Sequence, residues 1–329
     1  MRRAVPWTLV AGVAIIAVCE AMLFVDVRAR GGLVVPTDQP LPPPPPDVPL
    51  EIAARWVAVN MTALCWVGFL LVFEGLVEAL SRKRLEPGIS PIRRRPNRFI
   101  VAWLTSIPVW CIFDWINFYF MDAWRYHGLP PHFAQRVVGY FIAFAAISPG
   151  MFLAAQLYQQ LGLRHIRTLA ASRRRPITLT LTYGVPIFFT ILTAYLLLIH
   201  RDTTILNLVL WVGLIYLLDP INHRLGAPSI LADWQAGRWG RTLALFAGGA
   251  TCGFCWEFWN YWALAKWTYH LPFLGAAGEY RYFEMPWLGF LGFLPFALEC
   301  WVMLNTIVAV LDRLRLRVAE PLPDEWSIM

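Results

Sequence analysis

The chain has 329 residues, of which 58% are hydrophobic and 15% are charged, and its mean hydropathy is +0.52. Soluble globular domains carry about 25% charged residues, so this composition excludes an ordinary soluble domain and favours a membrane-embedded protein. The net charge of +7 is explained by basic loops at one membrane face and their attraction to anionic lipid. We therefore predict no nucleic-acid partner.

Apolar segments follow one another along the whole chain. A hydrocarbon core of roughly 30 Å is crossed by about 20 helical residues. Counted by this length, the sequence predicts an all-α, polytopic membrane helix bundle of about eight transmembrane helices. They lie at residues 7–27, 54–80, 99–120, 134–160, 177–199, 203–219, 242–265 and 287–311.

The ends of the chain differ in character from the bundle. Residues 1–30 are predicted to hold the first transmembrane helix, because their apolar run is longer than that of a signal peptide. Residues 31–53 are predicted to form a Pro-rich external linker, since the prolines from Pro42 to Pro46 favour an extended conformation. Residues 319–329 are predicted to be a cytoplasmic tail.

Basic residues collect in every second loop, which indicates the orientation of the helices. Cytoplasmic loops are enriched in Lys and Arg near helix ends. The clusters before the first predicted helix and after the second, fourth, sixth and eighth helices therefore all fall on one side. This pattern predicts a multi-pass protein of a bacterial-type inner (plasma) membrane, with N- and C-termini in the cytoplasm.

A motif occurs twice, at residues 113–127 (FDWINFYFMDAWRYH) and 256–270 (WEFWNYWALAKWTYH). The matched pairs, 143 positions apart, are Asp114 and Glu257, Asn117 and Asn260, Trp124 and Trp267, Tyr126 and Tyr269, and His127 and His270. We predict two repeats, at residues 54–175 and 176–318. Each half of the chain has about four helices when the first transmembrane helix is counted with the first half, and this even number makes the repeats parallel, so both motifs reach the same outer face.

Among the acidic residues inside predicted helices, three lie deepest within the repeated units or near the membrane centre. Asp114 and Glu257 each follow an arginine, Arg98 or Arg241, by 16 residues, which places each carboxylate about 24 Å from that arginine. Glu299 lies near the predicted midplane. Ionisable groups at such depth cost about 2.5–3.5 kcal/mol and usually mark functional sites, so Glu257, Asp114 and Glu299 are our candidate catalytic acids.

Aromatic residues surround these acids and indicate one kind of chemistry. A carboxyl group in a dry aromatic pocket favours its neutral form and can protonate an alkene, while aromatic faces stabilise the resulting carbocation. The candidate substrate-binding residues are Asn117, Asn260, Trp256, Trp259, Trp115 and Tyr261. No cofactor and no metal are predicted, because phosphate-loop, dinucleotide and zinc motifs are absent from the sequence.

Structural roles are the alternative for the same residues. Each acid and the asparagine three positions later share a helix face and can meet, so both could serve only as hydrogen-bonding links between helices. The four motif residues Trp124, Tyr126, Trp267 and Tyr269 are favoured as an aromatic belt at the membrane interface.

His127 and His270 are favoured as interfacial residues satisfied by loop groups, with metal binding as the alternative. The loops at 128–133 and 271–286 are favoured as connectors, with a lid over a cavity as the alternative.

The repeated units resemble the integral-membrane lycopene cyclases of carotenoid biosynthesis. An acid is followed about ten residues later by W-x-Y, then by a glycine and a helix that starts with proline and an acid. The matching residues are Asp114, Trp124, Tyr126 and Gly139 in the first unit and Glu257, Trp267, Tyr269, Gly292, Pro295 and Glu299 in the second. The resemblance covers residues 100–150 and 243–305. Trp256-Glu257 is also similar to the W-E motif of fungal-type membrane terpene cyclases.

The resemblance implies a membrane fold and a long apolar isoprenoid substrate that enters from the bilayer. The chain departs from the cyclases in one respect: their P-x-E-E motif is replaced by Pro149-Gly150 in one half and by Pro295 to Glu299 in the other. We predict an integral-membrane isoprenoid or carotenoid-type cyclase, or a related hydratase or isomerase. One alternative is a proton- or cation-coupled transporter or channel, which helix breaks at Pro108, Pro149, Pro186 and Pro295 would favour. Another is a non-catalytic subunit of a membrane complex.

Overall fold

The structure is a computed structural model that describes most of the chain. The described residues are 5–32, 37, 48–83, 91–167, 187–188, 191–192, 194–195, 198, 203–322 and 327–329. The fold is mostly helical, at 78%, which confirms the predicted all-α class.

Seven long helices make up the bundle in this part of the chain. They are α1 (Trp7–Arg30), α2 (Pro49–Lys83), α4 (Pro96–Ile116), α5 (Phe133–Leu161), α6 (Thr203–Leu225), α8 (Gly240–Trp262) and α9 (Phe293–Arg313). The short helices α3 (Pro91–Arg94) and α7 (Ile230–Gln235) precede α4 and α8. A π-helix, Asn117–Met121, extends α4, and 3-10 helices cover Leu163–His165, Pro272–Glu279 and Trp287–Gly292.

Five helical segments are long and apolar enough to cross a membrane. Within the described residues, these segments are Trp7–Arg30, Pro49–Ser81, Pro96–Met121, Phe133–Leu161 and Trp287–Arg313. These segments correspond to five of the eight predicted helices and support a multi-pass membrane protein. The predicted helix at 177–199 lies largely outside the described residues. Helices α6 and α8 occupy the other two predicted positions, and α8 is less apolar because it carries Arg241, Glu257 and Asn260.

The helices form a chain of neighbours with α5 and α8 near its middle. Helix α1 packs along α2, α2 packs on α5, and α5 also contacts α4 and α8. Helix α8 in turn contacts α9, which packs on α6. The centre of the bundle is filled by side chains such as Phe152, Leu245 and Trp301, all fully buried. Burial of this apolar surface inside the protein also brings the functional residues of distant segments together.

Two short strand pairs interrupt the all-helical pattern. Strand β1 (Trp124–His127) pairs antiparallel with β2 (Lys266–Tyr269), and β3 (Arg281–Tyr282) pairs with β4 (Met285–Pro286). In the first pair, Trp124 lies opposite Tyr269 and Tyr126 opposite Trp267. The two copies of the motif are therefore joined directly at one end of the bundle. We call the β1–β2 pair the hairpin, although its strands come from distant segments, and this end of the bundle the hairpin end.

The reversal of the chain after α4 makes this pairing possible. The π-helix ends at Asp122, whose φ of 49° is left-handed, a conformation that Asp adopts more readily than most residues. The chain then returns toward α4 as β1. The predicted helix at 99–120 is confirmed, but the strand that follows it was not predicted.

Residues 327–329, in the predicted cytoplasmic tail, are buried against the bundle. The amide of Ile328 donates to Gln156 Oε1 over 3.2 Å, and Trp301 Nε1 donates to the Ile328 carbonyl over 3.2 Å. These bonds fix the segment beside the ends of α5 and α9, so this part of the tail belongs to the folded core.

A glycine allows α8 to approach α5 closely. A Cβ atom at Gly248 would lie 2.5 Å from the Met151 carbonyl oxygen and 2.8 Å from the Ala155 nitrogen. Both are backbone atoms, so a side chain would force the two helices apart. Small residues at helix contacts are typical of membrane bundles.

We predict that Gly248→Ala lowers the thermal unfolding midpoint in detergent, because overpacking costs about 1–3 kcal/mol. Gly139→Ala on α5 is the control, since a Cβ there meets nothing within 4 Å. The control is expected to leave the midpoint unchanged or to raise it slightly. Equal midpoints for both variants and the unmodified protein would contradict the close α5–α8 contact.

Candidate functional site

Two asparagines attach the hairpin strands to the helices that precede them. Asn117 is fully buried, and its Nδ2 donates to the Trp124 carbonyl over 2.8 Å. Its Oδ1 accepts from the amides of Ala123 and Trp124 over 2.7 and 3.1 Å. This one side chain therefore satisfies three backbone groups that the chain reversal would otherwise leave unpaired.

The second motif repeats the same arrangement. Asn260 is also fully buried; its Nδ2 donates to the Trp267 carbonyl over 2.8 Å, and its Oδ1 accepts from the Trp267 amide over 2.8 Å. We expected Asn117 and Asn260 to meet the acids on the same helix faces or to link helices. Their hydrogen bonds join a helix end to the strand that follows it, and Asn260 also interacts with the Glu257 carboxyl group, as expected.

The two acids accept hydrogen bonds from the aromatic residues of the strands. Asp114 Oδ1 accepts from Trp124 Nε1 and from the Tyr126 hydroxyl, each over 3.0 Å. Glu257 Oε1 accepts from the Tyr269 hydroxyl over 2.7 Å and from Trp267 Nε1 over 3.3 Å. Each acid thus has the Trp and the Tyr of its own W-x-Y motif as donors.

These contacts correct the interpretation of the four aromatics as an interfacial belt. Trp124 and Trp267 are 4% and 9% exposed, whereas belt residues lie in the headgroup region. The strands turn the rings inward because the indole and phenol groups are the donors that the buried acids need. Their role is internal, as partners of Asp114 and Glu257.

The hydroxyls of Tyr126 and Tyr269 keep their protons in this setting. Burial, followed by the negative charge of Glu257, raises the pKa of Tyr269 well above its usual value. Burial and the charge of Asp114 raise the pKa of Tyr126 in the same way. Both phenols are therefore neutral at physiological pH and remain able to donate hydrogen bonds.

An aromatic cavity of about 480 Å³ lies at the hairpin end. Its aromatic lining residues are Trp66, Trp110, Trp124, Tyr126, Phe144, Trp211, Trp256, Trp267, Tyr269, Phe293 and Phe296. They come from both copies of the motif and from several helices. The volume falls in the range of roughly 300–1,000 Å³ that is usual for small-molecule sites, and the lining suits an apolar ligand.

A capping segment, residues 271–292, closes one side of the cavity. Leu271, Leu274 and Met285 are among its lining residues. Lys266 on β2 is buried and forms an ion pair with Glu284, which ties the segment to the hairpin. The loop that we favoured as a connector therefore forms a wall of the cavity.

The three predicted catalytic acids lie behind or beside this wall. Asp114 and Glu257 do not line the cavity; the tyrosines and tryptophans that bind them do. The two carboxylates do not meet in the cavity, because each is covered by its own aromatic pair. Glu299 on α9 is fully buried, and neither of its carboxyl oxygens has a hydrogen-bond partner among the described residues. The backbone of Leu214 interacts with its carboxyl group.

The aromatic residues that we predicted to bind substrate lie in different environments, and only one of them lines the cavity. Trp256 lines the cavity. Trp259 is buried and packs edge-on against Trp66 at 6.1 Å between ring centroids. Tyr261 lies outside the wall with the Lys266 ammonium over its ring at 5.1 Å, and Trp115 is 53% exposed on the outside of the bundle.

Three cavity tryptophans were not selected from the sequence. Trp66, Trp110 and Trp211 lie on α2, α4 and α6, outside the repeated motif. The match between Trp66-Val67-Gly68 and Trp211-Val212-Gly213, 145 positions apart, was a usable signal for two of them. Trp110 carries no such signal, although its Nε1 donates to the Tyr126 hydroxyl over 3.3 Å.

The histidines of the motif take part in the hairpin. His127 Nε2 lies 2.9 Å from Thr268 Oγ1, and the His270 amide donates to the Ala123 carbonyl over 2.8 Å. The described part of the chain has no cluster of three or more His, Cys, Asp or Glu residues that could hold a metal ion. His127 is thus satisfied by a side chain of the opposite strand.

Comparison with protein-family models, with curated proteins and with solved structures finds no match to this chain.

We predict that Asn117→Ala destabilises the protein by about 1–3 kcal/mol, because it leaves buried backbone groups unpaired. The thermal unfolding midpoint in detergent measures this loss. Asn60→Ala is the control, since Asn60 makes one exposed bond, from its Nδ2 to the Trp56 carbonyl over 2.9 Å, and a surface change of this kind is expected to stay within about 0.5 kcal/mol. A midpoint for Asn117→Ala equal to that of the control would show that the hairpin does not depend on this asparagine.

Proposed function

We propose that the protein is a membrane-embedded isoprenoid cyclase or isomerase that binds a long apolar polyene in the aromatic cavity. The observation that carries the proposal is the pairing of each buried acid with a Trp and a Tyr that line one shared cavity. Such a wall offers both a proton source and aromatic faces. The substrate class follows from the apolar lining.

Binding of a ligand from the bilayer depends on shape and ring contacts more than on removal of its apolar surface from water. Transfer of apolar surface from water contributes about 25 cal/mol per Å², but a lipid already dissolved in the bilayer gains less. Shape and ring contacts must then select the ligand. Aromatic faces also attract a positive charge, with about 0.5–2 kcal/mol for each cation–ring contact, and this favours a substrate that becomes a carbocation during the reaction.

The proposed chemistry starts from the neutral form of Glu257. In this form the carboxyl O–H donates to the Tyr269 oxygen, and the phenol hydroxyl turns from Glu257 toward the cavity. The carboxyl proton then passes to the Tyr269 oxygen as the phenol proton moves to an alkene carbon of the substrate. The alkene π electrons form the new C–H bond and leave a cation on the adjacent carbon. Attack by another double bond closes a ring, and loss of a proton from a neighbouring carbon then gives a new double bond. The sequence of steps needs no oxidant or reductant.

The carboxylic acid is required because a phenol alone is a weak acid. The raised pKa of Tyr269 makes direct protonation of an alkene by its hydroxyl unfavourable. A coupled transfer avoids a phenolate, since the tyrosine receives a proton as it gives one. The proton lost from the substrate returns to Glu257 by the same route, since the Tyr269 oxygen receives it from carbon as the phenol proton moves back to the carboxylate, so the acid is regenerated. Asp114 and Tyr126 provide an equivalent pair in the first motif.

We further propose that the chain consists of two parallel repeats with eight helices and cytoplasmic termini in a bacterial-type inner membrane. Equivalent hydrogen bonds in the two motifs and their symmetric pairing as β1 and β2 support the duplication. The helix contacts also correspond: α2 and α4 pack on α5, and α6 and α8 pack on α9. The resemblance to lycopene cyclases is consistent with this arrangement, and identification of the substrate tests that resemblance.

Transport of protons or cations has less support. Pro108 lies within α4 and Pro149 within α5, and both helices continue through the proline. Pro295 lies in the first turn of α9, where proline is tolerated. Pro186 is outside the described residues. The helix breaks that would favour a transporter are therefore not found at these three prolines, and the cavity wall is apolar rather than polar.

We predict that Ala143→Trp reduces the amount of isoprenoid lipid that co-purifies with the protein at least fivefold. Ala143 lines the aromatic cavity, so the larger ring occupies the volume that the ligand needs. Val138→Trp is the control on the same helix, because Val138 is exposed on the outside of the bundle. Mass spectrometry of the bound lipid measures the effect, and equal lipid content in the two variants would contradict the proposed binding site.

We predict that Glu257→Gln and Tyr269→Phe each reduce isoprenoid turnover by about 100-fold or more, the usual size of an acid–base contribution. Pigments from a lycopene-producing host that expresses each variant provide the measurement. Asp122→Asn is the control, because Asp122 pairs with Arg125 at the surface of the hairpin. Unchanged pigments with the unmodified protein would exclude a lycopene substrate, and full turnover by Glu257→Gln would exclude that acid.

A further inference from the structure

A second cavity, of about 620 Å³, lies at the opposite end of α4 and α8. Its charged lining residues are Arg98, Asp233, Arg238, Arg241, Asp312 and Arg313. Twelve residues separate Arg98 from Trp110 in the aromatic cavity, or about 18 Å along α4. The polar cavity is therefore a separate site, and we call this end of the bundle the basic end.

Arg98 is buried with little compensation for its charge. The residue is 2% exposed, and its Nη2 donates to Asn305 Oδ1 over 2.7 Å. Its Nε has no hydrogen-bond partner among the described residues. A buried guanidinium is costly unless its donors are paired, so a site that keeps Arg98 in this state indicates that another group completes its hydrogen bonds.

The buried lining groups carry excess positive charge. Asp233 accepts from Arg238 Nε over 3.0 Å and forms an ion pair with Arg241 over 2.5 Å. Two arginines thus share the charge of Asp233, and Arg98 adds a third positive group among the described residues that line this part of the cavity. Asp312 and Arg313 are both exposed at the mouth of this cavity, and their opposite charges offset each other.

Glu320 makes its described hydrogen bonds to the backbone beside Arg98 and not to the guanidinium group. Glu320 accepts from the amides of Asn97 and Arg98 over 3.4 and 2.8 Å. It therefore satisfies the backbone at the start of α4 and is not a lining residue of the cavity. Its charge and that of Asp312 reduce the potential at Arg98 without supplying the missing partner.

The second buried arginine is held in place by packing. Arg241 is 3% exposed, and its guanidinium lies 4.6 Å from the Trp301 ring centroid. Arg98 and Arg241 are separated by the same 143 positions as the two motifs, so equivalent residues converge on this cavity as they do on the aromatic one. A ligand between them would meet guanidinium groups from both sides.

We propose that the cavity at the basic end binds a phosphate or diphosphate group. Guanidinium groups present paired N–H donors that match phosphate oxygens, and charge-assisted bonds of this kind are strong. The volume is larger than one phosphate requires and suits a diphosphate or the phosphate of a lipid headgroup. The group comes either from a soluble metabolite or from an anionic phospholipid, and both present the same chemistry to Arg98.

The experiment uses the full chain in nanodiscs of phosphatidylcholine, with pyrophosphate as the titrant in calorimetry. Saturable binding with one pyrophosphate per chain is expected, and its affinity should fall as salt is raised. Arg98→Gln is expected to weaken binding at least tenfold. Arg317→Gln is the matched control, because Arg317 is exposed and does not line the cavity, and it should change the affinity less than twofold.

A second arm distinguishes the two sources of the phosphate group. Nanodiscs with added phosphatidylglycerol should lose pyrophosphate affinity at least tenfold if a lipid headgroup fills the site, and should keep it if the ligand is soluble. Should Arg98→Gln fail to fold, Arg98→Lys keeps the charge and is expected to weaken binding severalfold by losing the paired donors. Absence of saturable binding in all discs, or unchanged affinity in a folded Arg98 variant, would overturn the proposal. None of these readouts depends on isoprenoid turnover.

Discussion

The buried asparagines Asn117 and Asn260 are the constraint on which the hairpin end depends. Each satisfies the backbone of a chain reversal that would otherwise be unpaired in an apolar environment. Because the chain turns at these points, the strand after each helix returns its Trp and Tyr to the acid on that helix. Without the reversal, the acids would lack their donors and the cavity would lack the four aromatic wall residues that the strands supply.

The acids and the aromatics hold each other in place. A carboxyl group in the interior is unfavourable unless donors surround it, and Trp124, Tyr126, Trp267 and Tyr269 supply those donors. The same bonds fix the orientation of four rings in the cavity wall. One set of contacts therefore reduces the cost of burying the acids and determines the shape of the ligand site. In the proposed reaction it also provides the route of the proton.

The two cavities divide the molecule into ends of different chemistry. The hairpin end presents apolar and aromatic groups, and the basic end presents arginines with one shared aspartate. Between them, α5 and α8 approach closely at Gly248. This division fits the two ligands that we propose, because the bilayer contains apolar molecules and its charged surface or the adjacent solution contains phosphate groups.

The sequence by itself determined the membrane class, most of the helix positions and the twin acids, because these follow from local hydropathy and from a repeated spacing. It did not indicate that W-x-Y forms paired strands, since that pairing joins residues 143 positions apart and depends on the reversal at Asp122. It likewise did not place Trp110 at the cavity or Trp115 on the outside. Only the tertiary structure decided which face of each helix points inward, because in an apolar membrane segment hydropathy barely distinguishes a lipid-facing ring from a buried one.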